Sequence, residues 1–385
     1  MMQVLVLGAG AQGTAAAFDL VRHPDVERVT LADAAEVRVP AFLSDYLGRQ
    51  GKLESVRVDA RDRDAVRSAM AGKAAVLCAL PYFFNFDMAE LAVEAGAHYC
   101  DLGGNTGIVA RQRGLHGAAL SAGRSVIPDC GLAPGMVNIL AQAGIDALDR
   151  AESVRMFVGG LPQHPRPPLN YQIVYSMHGV LDYYTTESVV LTDGEIVTKE
   201  ALSEVEEVRF PEPVGRLEAF HTAGGISTMA HRYRGVIPRM EYKTLRYPGH
   251  AHIMRAMREL GLFSLQPVRI GGAEVAPRDF FIEVVSPHLR GERSPDLVAL
   301  RVEVSGRKDG APKTIRYDVL DRYDAEHGLT AMMRTTGYSL AVTTLMQMDG
   351  RISDLGVRTP DEAVPAEPYM TEMAARGIAI ERTES

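Results

Sequence analysis

The chain has 385 residues, which is enough for two or three domains of ordinary size. Hydrophobic residues make up 46% of it and charged residues 23%, which excludes a disordered or low-complexity chain. The net charge of −8 and the isoelectric point near 5.8 argue against nucleic acid as a partner, because a phosphate backbone attracts basic surfaces.

The cysteines and the apolar runs bear on the compartment. Only three cysteines occur, at positions 78, 100 and 130, which is too few for a disulfide scaffold and typical of a reduced cytoplasmic protein. The chain holds no uninterrupted apolar run of about 18 residues, so we expect no membrane span. A glycine motif follows directly on the opening strand, so we expect no signal peptide.

The first 130 residues alternate between short apolar runs and helical patterns. A connection between parallel strands needs a crossover, which a helix provides. The alternation therefore predicts an α/β fold with a Rossmann-type, doubly wound parallel sheet. Strands are predicted over 3–7, 28–32, 55–58, 74–80, 98–102 and 125–127, and helices over 14–21 and 88–94.

The pattern changes near residue 151, so we place a nucleotide-binding domain over 1–150 and a second domain of α+β type after it. Four prolines within 161–168 mark an irregular connection. Antiparallel hairpins are predicted over 189–197 and 297–319, each with an Asp-Gly pair at its turn. A long apolar helix is predicted over 329–348.

Residues 8–13 read Gly-Ala-Gly-Ala-Gln-Gly and fall between a predicted strand and a predicted helix. Gly8 permits a tight turn, Gly10 lets the backbone approach a pyrophosphate, and Gly13 allows the helix to pack closely on the strand. Asp33 lies twenty residues after the last glycine, where it would accept hydrogen bonds from the adenosine ribose. Because a carboxylate there repels a 2′-phosphate, the sequence favours NAD as the cofactor, while Arg38 keeps NADP as an alternative.

The rest of the expected nucleotide site comes from the same loop and from the ends of the parallel strands, where ligands bind in such sheets. Its members are Ala11, Gln12, Asp59, Ala79, Leu80, Pro81 and Gly103.

Two further side chains lie at or just beyond strand ends. Asp101 could hold a substrate ammonium group or move its proton, or it could cap the turn that follows. Cys130 could touch the substrate or the nicotinamide, although no histidine lies near it in the sequence to activate a thiol nucleophile. The cysteine spacings contain no C-x-x-C pair, so we expect no metal site.

The segments H-Y-C-D-L-G-G at 98–104 and P-D-C-G-L-A-P-G-M at 128–136 resemble the saccharopine dehydrogenase superfamily. Within it, the segments at 159–170, 243–250 and 367–378 look like those of the L-lysine 6-dehydrogenases. The resemblance implies NAD-dependent oxidative deamination of the lysine side chain to 2-aminoadipate 6-semialdehyde, with NADH and ammonia as the other products. It also implies a homodimer, a substrate and dimerisation domain over 151–325, and a segment over 326–385 that packs back on the first domain.

This chemistry needs a proton acceptor and a cation. A lysine amine with a pKa of about 10.4 must lose its proton before hydride can leave, and Asp101, His178 or His250 could accept it. Arg246 is the first candidate to bind the α-carboxylate, and Arg166 is the second. Alternatively, Arg246 forms a surface or interface salt bridge, and His250 caps the helix that it opens.

Lys243 and Tyr175 complete the expected substrate site. Alternation along a strand places Thr244 and Arg246 on one face and Lys243 on the other. Tyrosines four residues apart, such as Tyr171 and Tyr175, are more often core aromatics than ligands.

Two other functions compete with lysine deamination. The first is a saccharopine- or carboxynorspermidine-type dehydrogenase, which forms or cleaves a secondary amine. The second is a regulatory protein that binds NAD(H) without turnover.

Overall fold

The computed structural model describes residues 2–47, 51–174, 176–290 and 295–385. The strands are β1 (Met2–Leu7), β2 (Val26–Asp33), β3 (Leu53–Arg57), β4 (Ala75–Cys78), β5 (His98–Asp101), β6 (Ser125–Ile127), β7 (Arg150–Pro162), β8 (Ser188–Thr192), β9 (Glu195–Lys199), β10 (Glu206–Arg209), β11 (Arg216–His221), β12 (Arg239–Arg246), β13 (Val268–Ile270), β14 (Ala273–Val275), β15 (Asp296–Lys308), β16 (Ala311–Arg322), β17 (Gly356–Val357) and β18 (Glu381–Glu384). The α-helices are α1 (Ala11–Arg22), α2 (Ala41–Ser44), α3 (Arg63–Met70), α4 (Asn85–Glu94), α5 (Thr106–Arg113), α6 (His116–Ser121), α7 (Met136–Asp146), α8 (Met177–Thr185), α9 (Met229–Arg232), α10 (His250–Glu259), α11 (Pro277–Leu289), α12 (Ala331–Met333), α13 (Ser339–Met348), α14 (Pro360–Ala363) and α15 (Ala366–Ala375).

The first sheet is parallel and has the strand order β17-β6-β5-β4-β1-β2-β3. Its central strands are mostly buried because helices cover both faces; Val4, Leu5 and Val6 have no exposed surface. All six predicted strands are present, so the predicted Rossmann-type parallel sheet is confirmed.

The second sheet is mixed and contains nine strands. Its centre is β7, which pairs parallel with β12 and antiparallel with β15. Both predicted hairpins are confirmed as β8–β9 and β15–β16. Their turns place Asp193 and Asp309 at φ 52°, each followed by a glycine with positive φ, which is the geometry that Asp-Gly pairs favour.

The C-terminal part of the chain contributes to both sheets. β17 extends the parallel sheet by pairing with β6, whereas β18 pairs with β16 of the second sheet. The resemblance implied that the segment after 326 packs back on the first domain. In the structure this segment adds one strand to the sheet of each domain.

The helix predicted over 329–348 is divided into α12, a π-helical stretch over Arg334–Tyr338, and α13. Gly337 lies in that stretch, where a Cβ atom would come within 2.7 Å of the Ala15 Cβ and 2.8 Å of the Gln12 carbonyl oxygen. A residue without a side chain therefore lets this stretch lie directly on α1, beside the glycine loop.

One apolar core joins the two halves of the molecule. It runs from α1 and β1 through α7 and α13 to the inner face of the second sheet. The core fixes the carboxyl ends of the parallel strands opposite β7 and β12. Among the described residues, no helix is long and apolar enough to cross a membrane.

Candidate functional site

A cavity of about 650 Å³ lies between the carboxyl ends of the parallel strands and the second sheet. Loops after β4, β5 and β6 form one side, and α8, β7 and β12 form the other. The lining residues are Gln12, Ala79, Leu80, Pro81, Tyr82, Phe83, Leu102, Gly103, Gly104, Gly131, Leu132, Ala133, Pro134, Val158, Gly160, Ser176, His178, Gly179, Asp182, Tyr183, Tyr242, Thr244, Arg246, Met332 and Thr336.

The glycine loop has the geometry that a dinucleotide requires. Gly8 has φ 98°, and a Cβ atom on Gly13 would lie 1.9 Å from the Gly8 carbonyl oxygen, so neither position accepts a side chain without strain. A Cβ atom on Gly10 would meet no atom within 4 Å, which leaves open space in front of the loop. Gly10 precedes α1 without a side-chain cap, so the first amide groups of that helix, beginning at Ala11, are available to a phosphate.

Gln12 supports the same interpretation. Its side chain lines the cavity, and the buried Oε1 atom accepts no hydrogen bond from the described residues. A buried acceptor without a donor is costly unless a ligand supplies one. The residues of this loop therefore fit a dinucleotide.

Asp33 lies at the end of β2 beside the loop. Its Oδ2 atom accepts a hydrogen bond from the Ala9 amide at 2.8 Å, and its Oδ1 atom accepts one from the Ala35 amide at 3.0 Å. Each oxygen keeps a second lone pair for a ribose hydroxyl. Asp59 follows β3 and accepts from the Arg61 amide at 2.9 Å, but it does not line the cavity.

Asp101 is fully buried and does not line the cavity. Its Oδ1 atom accepts from the amides of Gly103 at 2.7 Å and Asp129 at 3.2 Å, and its Oδ2 atom accepts from Gln112 Nε2 at 2.7 Å. Burial raises the pKa of the Asp101 carboxyl group, although these three hydrogen bonds oppose that rise. The carboxyl group holds the loops after β5 and β6 together, so the structure does not bring it to the predicted catalytic position.

Cys130 is also buried away from the cavity, which is lined instead by the next residue, Gly131. Its thiol lies 3.1 Å from the Ile127 carbonyl oxygen. Burial raises the pKa of the thiol well above its ordinary value, so it is no nucleophile at neutral pH.

Arg246 is the last residue of β12 and reaches the cavity with only 3% of its surface exposed. Its Nη1 atom donates to the Leu245 carbonyl oxygen at 2.8 Å, and its guanidinium carbon lies 5.0 Å from the centre of the Tyr171 ring. Thr244 lines the cavity on the same face of the strand. Lys243 points to the opposite face, as the alternation predicted, and its Nζ atom lies 2.7 Å from Glu206 Oε1.

His250 is buried outside the cavity, and both of its ring nitrogens have partners in the protein. The Nε2 atom lies 3.0 Å from the Tyr184 hydroxyl, and the Nδ1 atom lies 3.1 Å from the Leu169 carbonyl oxygen. Burial, together with the charge of Arg246, lowers the pKa of His250 to about 3. The ring is therefore neutral at physiological pH. Arg246 lines the cavity, whereas His250 does not.

The other predicted residues divide between the cavity and the surface. His178 is exposed on α8 and lines the cavity. Arg166 is exposed and is not among the lining residues. Tyr175 lies outside the described residues. Ala79, Leu80, Pro81 and Gly103 line the cavity, as do Gln12 and Arg246.

The sequence prediction did not include several aromatic residues of the wall. Tyr82 and Phe83 follow β4, Tyr183 lies on α8, and Tyr242 lies on β12. Burial raises the pKa of Tyr242 to about 12, so its hydroxyl group stays protonated. Tyr242 could have been found by extending the alternation back from Arg246, whereas no sequence signal marks Tyr183.

The charged groups on the cavity wall are few. Among the described residues that line it, Arg246 is the only lysine or arginine, and Asp182 is the only acid. Asp182 is already paired with Arg278, whose Nη1 atom lies 2.5 Å from the carboxylate. No group of three or more histidine, cysteine or acidic side chains suited to a metal ion occurs in the described ranges.

Comparison with known proteins gives two family matches that divide the chain near residue 130. A model of the saccharopine dehydrogenase NADP binding domain matches residues 4–127, and a model of the saccharopine dehydrogenase C-terminal domain matches residues 131–378.

Curated relatives and one solved structure match over almost the whole chain. Saccharopine dehydrogenase [NADP(+), L-glutamate-forming] of Schizosaccharomyces pombe is 21% identical, over 99% of this chain and 98% of that protein. The mitochondrial alpha-aminoadipic semialdehyde synthase of Bos taurus is 22% identical, over 98% of this chain but 47% of its own length. Apo saccharopine dehydrogenase (L-Glu forming) from Saccharomyces cerevisiae has a TM-score of 0.81 and 20% identity, with full coverage of both chains, so the fold is shared. Since the C-terminal model alone spans more than half of the residues, this chain belongs to the saccharopine dehydrogenase family.

Proposed function

We propose that this protein is a pyridine-nucleotide-dependent dehydrogenase of the saccharopine type, which cleaves or forms the C–N bond of a secondary amine between two amino-acid skeletons. The observation that carries the proposal is that the glycine-loop residue Gln12 and the cation Arg246 line one cavity. The family matches support the reaction class, and the relatives favour it over the deamination of free lysine that the motifs imply.

The residues of the chain have separate tasks in such a reaction. When bound, the nucleotide supplies the hydride acceptor or donor. Arg246 holds a carboxylate of the substrate, since a buried guanidinium group makes strong charge-assisted hydrogen bonds to a carboxylate. His178 is the predicted proton acceptor whose side chain reaches the cavity, and its exposure lets the proton pass to solvent.

For the cofactor we propose a preference for NAD, although the family model and the relatives are named for NADP. The supporting observation is Asp33 at the end of β2, whose carboxylate would repel a 2′-phosphate and which is followed by Ala34 and Ala35. Arg57 works against this preference, because its Nε atom donates to the Ala34 carbonyl oxygen at 2.9 Å and brings a cation close to Asp33.

Oxidative deamination of L-lysine is the second candidate, and one observation favours it. Saccharopine carries three carboxylates, whereas Arg246 is the only lysine or arginine among the described residues that line the cavity. Lysine has one carboxylate, which a single guanidinium group neutralises. The charge of the cavity therefore suits the smaller substrate.

The two candidates are separated by following absorbance at 340 nm with NAD or NADP and a panel of amines. A saccharopine-type enzyme reduces the nucleotide with L-saccharopine and not with L-lysine alone. It also oxidises the reduced nucleotide when the semialdehyde and L-glutamate are both present. Reduction with L-lysine alone overturns the first candidate in favour of the second. Nucleotide binding without turnover of any amine overturns both.

A further inference from the structure

Asp129, which follows β6, is a buried acid that none of the predicted roles uses. Only 2% of its surface is exposed. Its backbone has φ 64°, in the left-handed region that few residues other than glycine, asparagine and aspartate adopt. Its Oδ1 atom accepts no hydrogen bond of ordinary geometry from the described residues. A buried acid with a left-handed backbone keeps its conformation only when contacts with neighbouring residues stabilise it.

The partner of Asp129 comes from the second domain. Ser227, in the loop between β11 and α9, donates its hydroxyl hydrogen to Asp129 Oδ2. Ser227 is buried as well and also has a left-handed backbone, with φ 54°. Two residues with left-handed backbones, one from each domain, are thus joined by a single hydrogen bond, which we call the clasp.

On the nucleotide side, the clasp contacts the floor of the cavity. A Cβ atom on Gly103 would lie 1.8 Å from Asp129 Oδ1, so the carboxyl group packs directly against that glycine. Gly103 and Gly104 both line the cavity. The position of Asp129 therefore sets the path of the loop after β5.

On the substrate side, the loop of Ser227 supports two tyrosines of the cavity wall. A Cβ atom on Gly224 would lie 2.7 Å from Tyr183 Cε1, and one on Gly225 would lie 2.3 Å from Tyr242 Cε2. Both rings line the cavity. The loop therefore packs behind these two rings. The clasp fixes the distance between this loop and the nucleotide side of the cavity.

We propose that Asp129 and Ser227 form a positioning pair that sets the substrate side of the cavity by joining the Gly103 loop to the loop behind Tyr183 and Tyr242. The inference rests on the proposed function only for its kinetic test. Burial raises the pKa of Asp129 to about 7, and the nearby charges of Asp101 and Asp361 add to the rise, in accord with a carboxyl group shielded from solvent.

The main test is Ser227→Ala, which removes the hydroxyl group of the clasp and leaves the Asp129 carboxyl group in place. We expect KM for the amino-acid substrate to rise tenfold or more, while kcat changes less than threefold and the Kd of the nucleotide less than twofold. Asp129→Asn keeps an acceptor oxygen and tolerates the left-handed backbone, so it should stay within threefold of wild type in all three. Ser286→Ala is the matched control, since Ser286 is a buried serine on α11 whose Oγ atom has no hydrogen-bond partner among the described residues.

A second measurement does not depend on turnover. Hydrogen exchange should speed up in Ser227→Ala within both 102–104 and 222–228, although the two segments belong to different domains. The proposal is overturned if KM stays within twofold of wild type, if Asp129→Asn is impaired as much as Ser227→Ala, or if exchange rises in only one segment. If the wild-type protein turns over no amine, the proposed function fails, and the exchange measurement still decides whether the clasp exists.

Discussion

Replacement of Asp33 by serine tests the cofactor preference in the most quantitative way. The carboxylate is partly exposed at the end of β2, where an adenosine ribose would lie. Two unit charges about 5 Å apart repel each other by about 1 kcal/mol in water and about 3 kcal/mol at an effective dielectric constant of 20. A phosphate monoester carries more than one negative charge, which places the expected penalty for NADP at about 2 kcal/mol or somewhat above.

This penalty corresponds to a preference for NAD of about 10- to 100-fold in kcat/KM. In Asp33→Ser the repulsion is lost, and the guanidinium group of Arg57, whose Nε atom already donates to the Ala34 carbonyl oxygen, can attract the phosphate. The variant also loses the acceptor for the ribose hydroxyls, so kcat/KM should rise with NADP and fall with NAD.

The assay is the initial rate at 340 nm with each nucleotide at a fixed, saturating amine concentration. Glu36→Gln is the matched control, because it removes an exposed negative charge three residues further on. We expect the ratio of kcat/KM values to change at least tenfold in Asp33→Ser and less than twofold in the control. The proposed role of Asp33 is wrong if wild type uses NADP as well as NAD, or if the ratio changes less than threefold in Asp33→Ser.

Three further predictions concern the cavity and the core. Arg246→Met should lower kcat/KM at least 30-fold, since a charge-assisted hydrogen bond contributes roughly 2 kcal/mol or more. The control Arg239→Met, on the exposed part of the same strand, should keep kcat/KM within twofold of wild type. Equal effects of the two substitutions in steady-state kinetics would contradict this prediction. The depressed pKa of His250, about 3 in the folded protein, means that only the unfolded chain binds a proton there between pH 3 and 6.5. The free energy of unfolding should therefore fall by about 2 kcal/mol from this site between pH 7.5 and 5, and urea titrations of His250→Phe should show a smaller fall than wild type; an equal fall would refute it. Gly337→Ala should destabilise the protein by about 1–3 kcal/mol, because the new Cβ atom would collide with α1. Gly117→Ala is the control and should not destabilise the protein, since a Cβ atom there would meet no atom within 4 Å. Thermal unfolding of the two variants tests this prediction.

The periodicity of the sequence was sufficient for the regular parts of the fold. Apolar runs marked all six early strands, and Asp-Gly pairs marked both hairpins, because these signals are local. The two-residue strand β17 and the polar strand β18 carry no such signal, since each exists only through its pairing with a distant strand. The π-helical stretch was equally hidden, because it depends on how Gly337 meets α1.

In the candidate site, too, residues marked by a local sequence signal could be predicted, whereas residues placed by distant contacts could not. Gln12 and Gly103 were found because a motif or a strand end fixes their place, and the alternation along β12 placed Arg246 and Lys243 on opposite faces. Asp101 was expected in the cavity because it ends a strand, but the glycines that follow let the chain turn back, so that its own loop amide binds the carboxylate. His250 shows the same limit, as tertiary contacts with Tyr184 and Leu169 decide its environment.

We propose that the cavity joins a nucleotide site to a site for an amino-acid amine through Arg246. The decisive experiment is single-turnover nucleotide reduction with L-saccharopine and with L-lysine, in wild type and in Arg246→Met. We expect reduction by wild type with L-saccharopine, and a loss of at least 30-fold in the variant while nucleotide binding stays within twofold. It is contradicted if neither amine reduces the bound nucleotide, or if Arg246→Met reduces it as fast as wild type.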